Sequence, residues 1–207
     1  MDNSIKIPTI YDKEECAKLI YMSGPSLFDY MTKLTKKELY EFFYICLTSS
    51  GNFYSEENIR ILEEDNIIQG LMVSYPFRDA KVMSKNMGEC GRILTKKLGL
   101  LKMIRMIPGM TMNFRMPKIN DDEYFIASLA VYEHHRNKGV ASRLMIKAEE
   151  LAIRKDCKKM SLTVENDNYP AIDLYKKFGF VTEKVITFPN RFKKYNLVGC
   201  TKMIREL

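Results

Sequence analysis

An apolar run that ends in a polar turn and resumes as a helix constrains this chain more than any other feature. It lies at residues 129–141, Leu-Ala-Val-Tyr-Glu-His-His-Arg-Asn-Lys-Gly-Val-Ala. The run ends at Val131, and an amphipathic helix begins near Gly139, with Val140, Leu144, Ala148, Leu151 and Ala152 on one face. The start of a helix leaves its first N–H groups unpaired and carries partial positive charge. Gly139 has no side chain to hold a phosphate away from that backbone, and Arg136 and Lys138 add full charge beside it. A glycine at this position also suits an ordinary strand–helix connection. The loop alone leaves both readings open.

A second block follows at residues 162–180, Leu-Thr-Val-Glu-Asn-Asp-Asn-Tyr-Pro-Ala-Ile-Asp-Leu-Tyr-Lys-Lys-Phe-Gly-Phe. It reads as a strand end, a cap at Asn168, a helix that tolerates Pro170 in its first turn, and a stop at Gly179. Ala171, Leu174, Tyr175 and Phe178 share one face, so Tyr175 taken alone reads as a core aromatic.

Arg136-Asn137-Lys138-Gly139-Val140-Ala141 fits the pattern Arg/Gln-x-x-Gly-x-Gly/Ala. Together with Val-x-x-x-Asn-x-x-Ala and Leu-Tyr-x-x-x-Gly-Phe in the second block, it resembles the GNAT superfamily of N-acetyltransferases over about residues 122–182. The resemblance implies an α/β fold, with a mixed, mostly antiparallel central sheet flanked by helices. It implies acetyl-CoA as cosubstrate, with its pyrophosphate on Arg136, Asn137, Lys138, Gly139, Val140, Ala141 and Ser142. It further implies that Leu129, Ala130 and Val131 line the pantetheine arm, that the Val131 N–H polarises the thioester carbonyl, that Asn168 bonds the arm, and that Tyr175 is the general acid. Asn137 stands where glycine is commonest in the family, and Ala141 where Gly or Ala is used. The base stays open. A family carboxylate on the fourth strand aligns best with Phe125, and Glu123, two residues earlier on the same strand face, is the candidate beside a plain solvated acid. His134 and His135 have suitable ordinary pKa values but lie in the turn on the CoA side.

Composition fits one acetyltransferase domain over residues 1–207. The five cysteines, at 16, 46, 90, 157 and 200, show no paired or metal-ligand spacing, and the only two histidines are adjacent. No metal is expected. The opening residues lack an apolar signal core, and no run reaches membrane-spanning length. With the scattered cysteines this predicts a cytoplasmic protein without an integral membrane segment. The expected partner is a small-molecule or peptide amine acceptor; a homodimer is left open.

The periodicity predicts a strand over 4–10, helices from Asp12 to Met22 and from Thr35 to Leu47, and strands at 60–64 and 67–75 around Asp65-Asn66. Further strands are expected at 123–131, 158–164, 180–188 and 197–205, with a helix over 140–154. Residues 77–120, before the fourth strand, form a basic, Met-rich insertion. Its net charge is +8 while the whole chain is +7, and it holds seven of the fourteen methionines. One helix is expected there, near Arg92–Ile107, ended by Pro108-Gly109. The insertion reads either as a substrate lid, with methionines that adapt to varied surfaces, or as a solvated structural elaboration. Two other functions compete with acetyl transfer. One is a CoA-binding sensor or regulator with weak or no catalysis. The other is a membrane-surface or nucleic-acid binder using the insertion, ranked lower because aromatic interleaving is limited to Phe77 and Phe114.

Overall fold

The computed structural model describes residue 2 and residues 4–207. Its strands are β1 (Ile5–Lys6), β2 (Ile59–Glu64), β3 (Ile67–Pro76), β4 (Glu123–Val131), β5 (Lys159–Glu165), β6 (Val181–Thr187) and β7 (Gly199–Glu206). They form one sheet in the order β1-β2-β3-β4-β5-β7-β6. Every neighbouring pair is antiparallel except β4 and β5. A parallel pair needs a crossover connection, which α6 (Val140–Arg154) supplies. The α/β architecture with a mostly antiparallel sheet is the one the sequence implies.

Strand alternation separates two apolar layers. On β3, Leu71, Val73 and Tyr75 face α1 (Lys13–Met22) and α3 (Lys36–Thr48), whose Leu19, Ile20, Leu39 and Phe43 are fully buried. Met72 points the other way, with Tyr124, Ile126, Met160 and Leu162, toward α6 and α7 (Tyr169–Lys177). Helix α3 starts where its sequence says. The Thr35 hydroxyl accepts from the Glu38 N–H, and the Glu38 carboxylate accepts from the Thr35 N–H. Asp12 does not cap α1 as expected. Its carboxylate accepts from Thr9, from the N–H at 2.7 Å and the hydroxyl at 2.8 Å, and so closes a 3-10 turn ahead of that helix. This turn, and Pro8 before it, leave the expected strand at 4–10 only two residues long.

The insertion departs most from expectation. It folds as two helices, α4 (Ala80–Leu98) and α5 (Leu100–Met110), followed by a 3-10 turn over Thr111–Arg115. The break is at Gly99, whose φ of 87° only glycine adopts readily. Pro108 lies inside the last turn of α5 instead of ending it. Neither helix hangs free. Met83, Cys90, Leu94 and Met106 enter the same core as α1 and α3, and Lys97 and Lys102 pair with Glu41 and Glu38 of α3. A short helix the sequence does not announce, α2 (Pro25–Thr32), lies beneath α5. A Cβ on Gly109 would fall 2.1 Å from the Met31 carbonyl oxygen, so α5 packs backbone against backbone on α2.

Candidate active site

β4 and β5 begin side by side and then part. Their pairing runs from Glu123–Lys159 to Ile126–Leu162 and stops, although β4 continues to Val131 and β5 to Glu165. On its other side β4 stays bonded to β3. The Tyr132 N–H donates to the Gln69 carbonyl at 3.0 Å, and the pairs Ala130–Leu71, Leu129–Met72 and Ser128–Val73 follow. Antiparallel pairs alternate between bonded and non-bonded. Bonding at Tyr132 therefore turns the backbone of Ala130 and Ser128 toward β3 and that of Val131 and Leu129 toward the gap. The Val131 carbonyl is met there by the Arg136 guanidinium, at 3.3 Å. The Val131 N–H and both polar groups of Leu129 are left facing the opening. Of the three β4 residues expected to line it, Ala130 offers no backbone group.

The phosphate-loop candidate sits at the end of this gap. Asn137 and Gly139 both have positive φ, 60° and 82°. Among non-glycine residues Asn takes this conformation most readily, which accounts for its standing where the family favours glycine. Alternation of this kind turns successive N–H groups into one concavity. From Asn137 through Ser142 no backbone N–H donates to a partner among the described residues; the first to do so is Arg143, to the Gly139 carbonyl at 3.0 Å. A Cβ built on Gly139 meets nothing within 4 Å, so the space in front of it is open. Lys138 is exposed beside it, while Val140 is buried and anchors the helix start in the core. Unpaired amides, open space and the charges of Arg136 and Lys138 are the features an anion site needs.

Asn168 caps α7, its side-chain oxygen accepting from the Ala171 N–H at 3.3 Å, so its amide NH2 remains available. Tyr175 lies about two α7 turns further on and is 8% exposed, against the layer under α6. Burial pushes its phenol up to about 12. It therefore holds its proton at neutral pH.

Glu123 is not where a base must be. It is fully buried at the closed, paired end of β4. Lys202 donates to it at 2.8 Å and the Asn120 side chain at 2.6 Å. Burial alone would raise its carboxyl, but the Lys202 hydrogen bond and charge outweigh that and hold it below the ordinary value, although its second oxygen is buried without a partner. It is an anchored ion pair and a poor proton acceptor. Neither histidine replaces it: His134 is exposed and stacks on Tyr132, and His135 is half-buried beside it in the turn over Glu133–His135.

A different carboxylate lies on the gap. Met160, Leu162 and Val164 of β5 face α6, so Ser161, Thr163 and Glu165 face the opposite side, and Thr163 and Glu165 lie beyond the last pair with β4. One Glu165 oxygen is buried without a hydrogen-bond partner. Burial pushes this carboxyl up, and the charge of Asp167 adds to it. Glu165 pairs in register with Cys200, whose side chain joins Met112, Phe188, Phe192 and Leu197. Tyr30 of α2 packs edge-on against Phe192 and Tyr195 of the β6–β7 connection, with centroids 5.2 and 4.9 Å apart. Sequence reading missed Glu165 because it looks like a polar strand end. The period-two pattern of β5 was the available signal. An open cleft of about 620 Å³ lies between α1 and the β2–β3 turn, with Glu15, Asn66 and Tyr132 among its lining. Among the described residues no group of three or more His, Cys, Asp or Glu could hold a metal ion, and no helix is long and apolar enough to cross a membrane.

Residues 103–180 match the family described as Acetyltransferase (GNAT) family. The chain is 39% identical over 61 residues to GCN5-related N-acetyltransferase 4, chloroplastic, of Arabidopsis thaliana, a match covering 30% of this chain and 21% of that protein. The chain thus spans about a fifth of that relative's length. An N-acetyltransferase from Staphylococcus aureus Mu50 superposes with a TM-score of 0.67 at 22% identity, over 97% of this chain and 99% of that one. The NatC complex bound to Gag peptide and CoA superposes with a TM-score of 0.55 at 20% identity, over 98% and 97%. These likenesses carry the fold, and residues 103–180 carry the match to the GNAT acetyltransferases.

Proposed function

We propose that the protein transfers an acetyl group from acetyl-CoA to an amine. The observation that carries this reading is the run of unpaired amides from Asn137 to Ser142, set at the end of an open gap between two strands of one sheet. A structural neighbour whose complex holds CoA and a peptide supports it further. The Asn137–Ser142 amides, Arg136 and Lys138 hold the diphosphate, and Leu129 and Asn168 bond the arm. Bound acetyl-CoA supplies the thioester. The Val131 N–H donates to the carbonyl oxygen as negative charge develops there, which is where a fixed donor accelerates acyl transfer most. Tyr175 donates its phenolic proton to the departing sulfur from the α6 side of the sheet. The acceptor approaches from the other side, along the wall formed by Tyr30, Phe192 and Tyr195.

Glu165 takes the proton from the ammonium of the acceptor, which must be neutral to attack. Its unpartnered oxygen on that side of the sheet suits it to this step, and its raised pKa brings it nearer the operating pH of a base. Activity then rises with pH as Glu165 loses its proton. Glu165→Gln should remove that limb of the kcat/KM profile and lower the plateau by about 10²-fold or more. Stability gives the opposite sign. A carboxyl with a raised folded-state pKa favours folding below its unfolded-state value, and that contribution is lost as pH rises through the folded one. The Gln variant should therefore melt higher than the wild type at neutral pH and equally in acid. A pH–rate profile of the variant that keeps its acid limb would remove Glu165 from the mechanism. Release of free thiol from acetyl-CoA across an amine and peptide panel tests the function itself. A protein that binds acetyl-CoA but turns over no acceptor would be the sensor instead.

A further inference from the structure

Helix α5 is apolar on two sides. Its inner side, with Met106 and Gly109, presses on the core and on α2. Its outer side shows Leu100, Leu101, Ile104, Ile107 and Met110 to solvent, and Phe114 follows in the 3-10 turn at 90% exposure. At about 100° per residue the five helical positions fill one half of the wheel, centred near Leu100. Single exposed apolar side chains are ordinary, but a continuous set of this size marks an interaction surface.

The charge around it has one sign. From Cys90 to Asn120 the chain has seven Lys and Arg residues and no Asp or Glu. Lys97 and Lys102 are engaged by α3. Lys96 and Arg105 are exposed and in no ion pair among the described residues. At the other end of the face, Arg115 and Arg191 both lie over the Phe192 ring, at 5.7 and 5.2 Å. Lys193 and Lys194 continue that cluster, which has no acid between Phe188 and Val198.

We infer that this face docks in plane on an anionic lipid surface. α5 and Phe114 enter the headgroup boundary, while Lys96, Arg105, Arg115 and Arg191 meet lipid phosphates. Helices that lie in a membrane interface combine an apolar face with a basic flank, and anionic leaflets attract such cations. Nucleic acid would engage the cations and leave six apolar side chains in water. The rim of a protein interface is typically polar and of mixed sign, whereas this rim is cationic at both ends. The inference does not rest on acetyl transfer.

Co-sedimentation of the full chain with vesicles tests it. The protein should pellet with mixed phosphatidylserine and phosphatidylcholine but not with phosphatidylcholine alone, and added salt should release it. Lys96→Gln with Arg105→Gln should weaken partitioning by about fivefold per charge. Ile104→Ser, Ile107→Ser and Phe114→Ser together should abolish it, with melting temperature unchanged because all three side chains are exposed. Failure to pellet, equal binding to neutral vesicles, or full binding by the triple Ser variant would overturn the inference. So would light scattering that shows this face buried in a dimer, or an RNA oligonucleotide bound equally by the wild type and the triple Ser variant with no vesicle binding by either.

Discussion

The phosphate loop and the insertion both concentrate positive charge, but they hold it differently. At Arg136–Ser142 two cationic side chains stand beside six N–H groups without partners, all fixed by a strand end and a helix start. In the insertion, two of the lysines are tied to α3 by ion pairs, and Met83, Cys90, Leu94 and Met106 are buried in the core. The loop is organised toward something absent from the chain. The insertion is organised first toward the chain itself, and only its outer face is left over. A local excess of charge therefore says little about a binding site until the partners of the neighbouring backbone are known.

The sharpest test of this contrast is at the gap. Tyr175→Phe should leave the fold and acetyl-CoA affinity intact and lower the chemical step by about 10²–10⁴-fold. An unchanged rate in single-turnover assays would return Tyr175 to the core and make the gap resemble the insertion. Next is the closed end of the same strand. Glu123→Ala leaves the buried Lys202 with Glu183 and the Lys118 carbonyl, and should cost about 1–3 kcal/mol of stability. The Glu123 carboxyl has a depressed folded-state pKa, so its contribution is present above the unfolded-state value and fades as pH falls through the folded one. Denaturant melts at neutral and acid pH should show the gap between the wild type and Glu123→Ala narrowing in acid. Little loss of stability at neutral pH would restore Glu123 as a free acid.

Gly139→Glu strains a left-handed position and sets a carboxylate where the diphosphate would lie. Acetyl-CoA affinity should fall by about 100-fold or more, since juxtaposed like charges cost several kcal/mol. Calorimetry that finds equal affinity would remove the loop from the site. The smallest expected effect is in the insertion. Gly109→Ala forces α5 off the Met31 backbone and should cost about 1–3 kcal/mol, the usual scale of overpacking. Protease cleavage between α4 and β4 should rise while acetyl-CoA affinity stays as it was. A parallel loss of affinity would show that the insertion shapes the loop after all.

Much of the gap region was legible because its signals are local. Gly139, the Asn168 cap and the Leu-Tyr-x-x-x-Gly-Phe run each specify a turn or a helix end within a few residues. Thr35 and Glu38 mark α3 for the same reason. Asp12 misled because a carboxylate near a helix start can equally serve the turn before it, and Thr9 was the nearer partner. The single helix expected in the insertion became two because Gly99 takes a left-handed conformation at their junction, and Pro108 was accommodated in a last turn.

The sequence by itself determined the order of strands and helices around β4 and β5, the loop that leaves its amides free, and the family resemblance that goes with them. Those follow from hydrophobic period and turn chemistry, which act over a few residues. Only the tertiary structure decided which carboxylate stands at the gap. Glu123 and Glu165 are both strand acids in the sequence. Each keeps one buried oxygen without a partner, but pairing in the sheet encloses the first with Lys202, while the parting of β4 from β5 leaves the second beyond the last β4–β5 pair and without a cation. That outcome depends on residues brought together from β4, β5 and β7, and no local pattern encodes it.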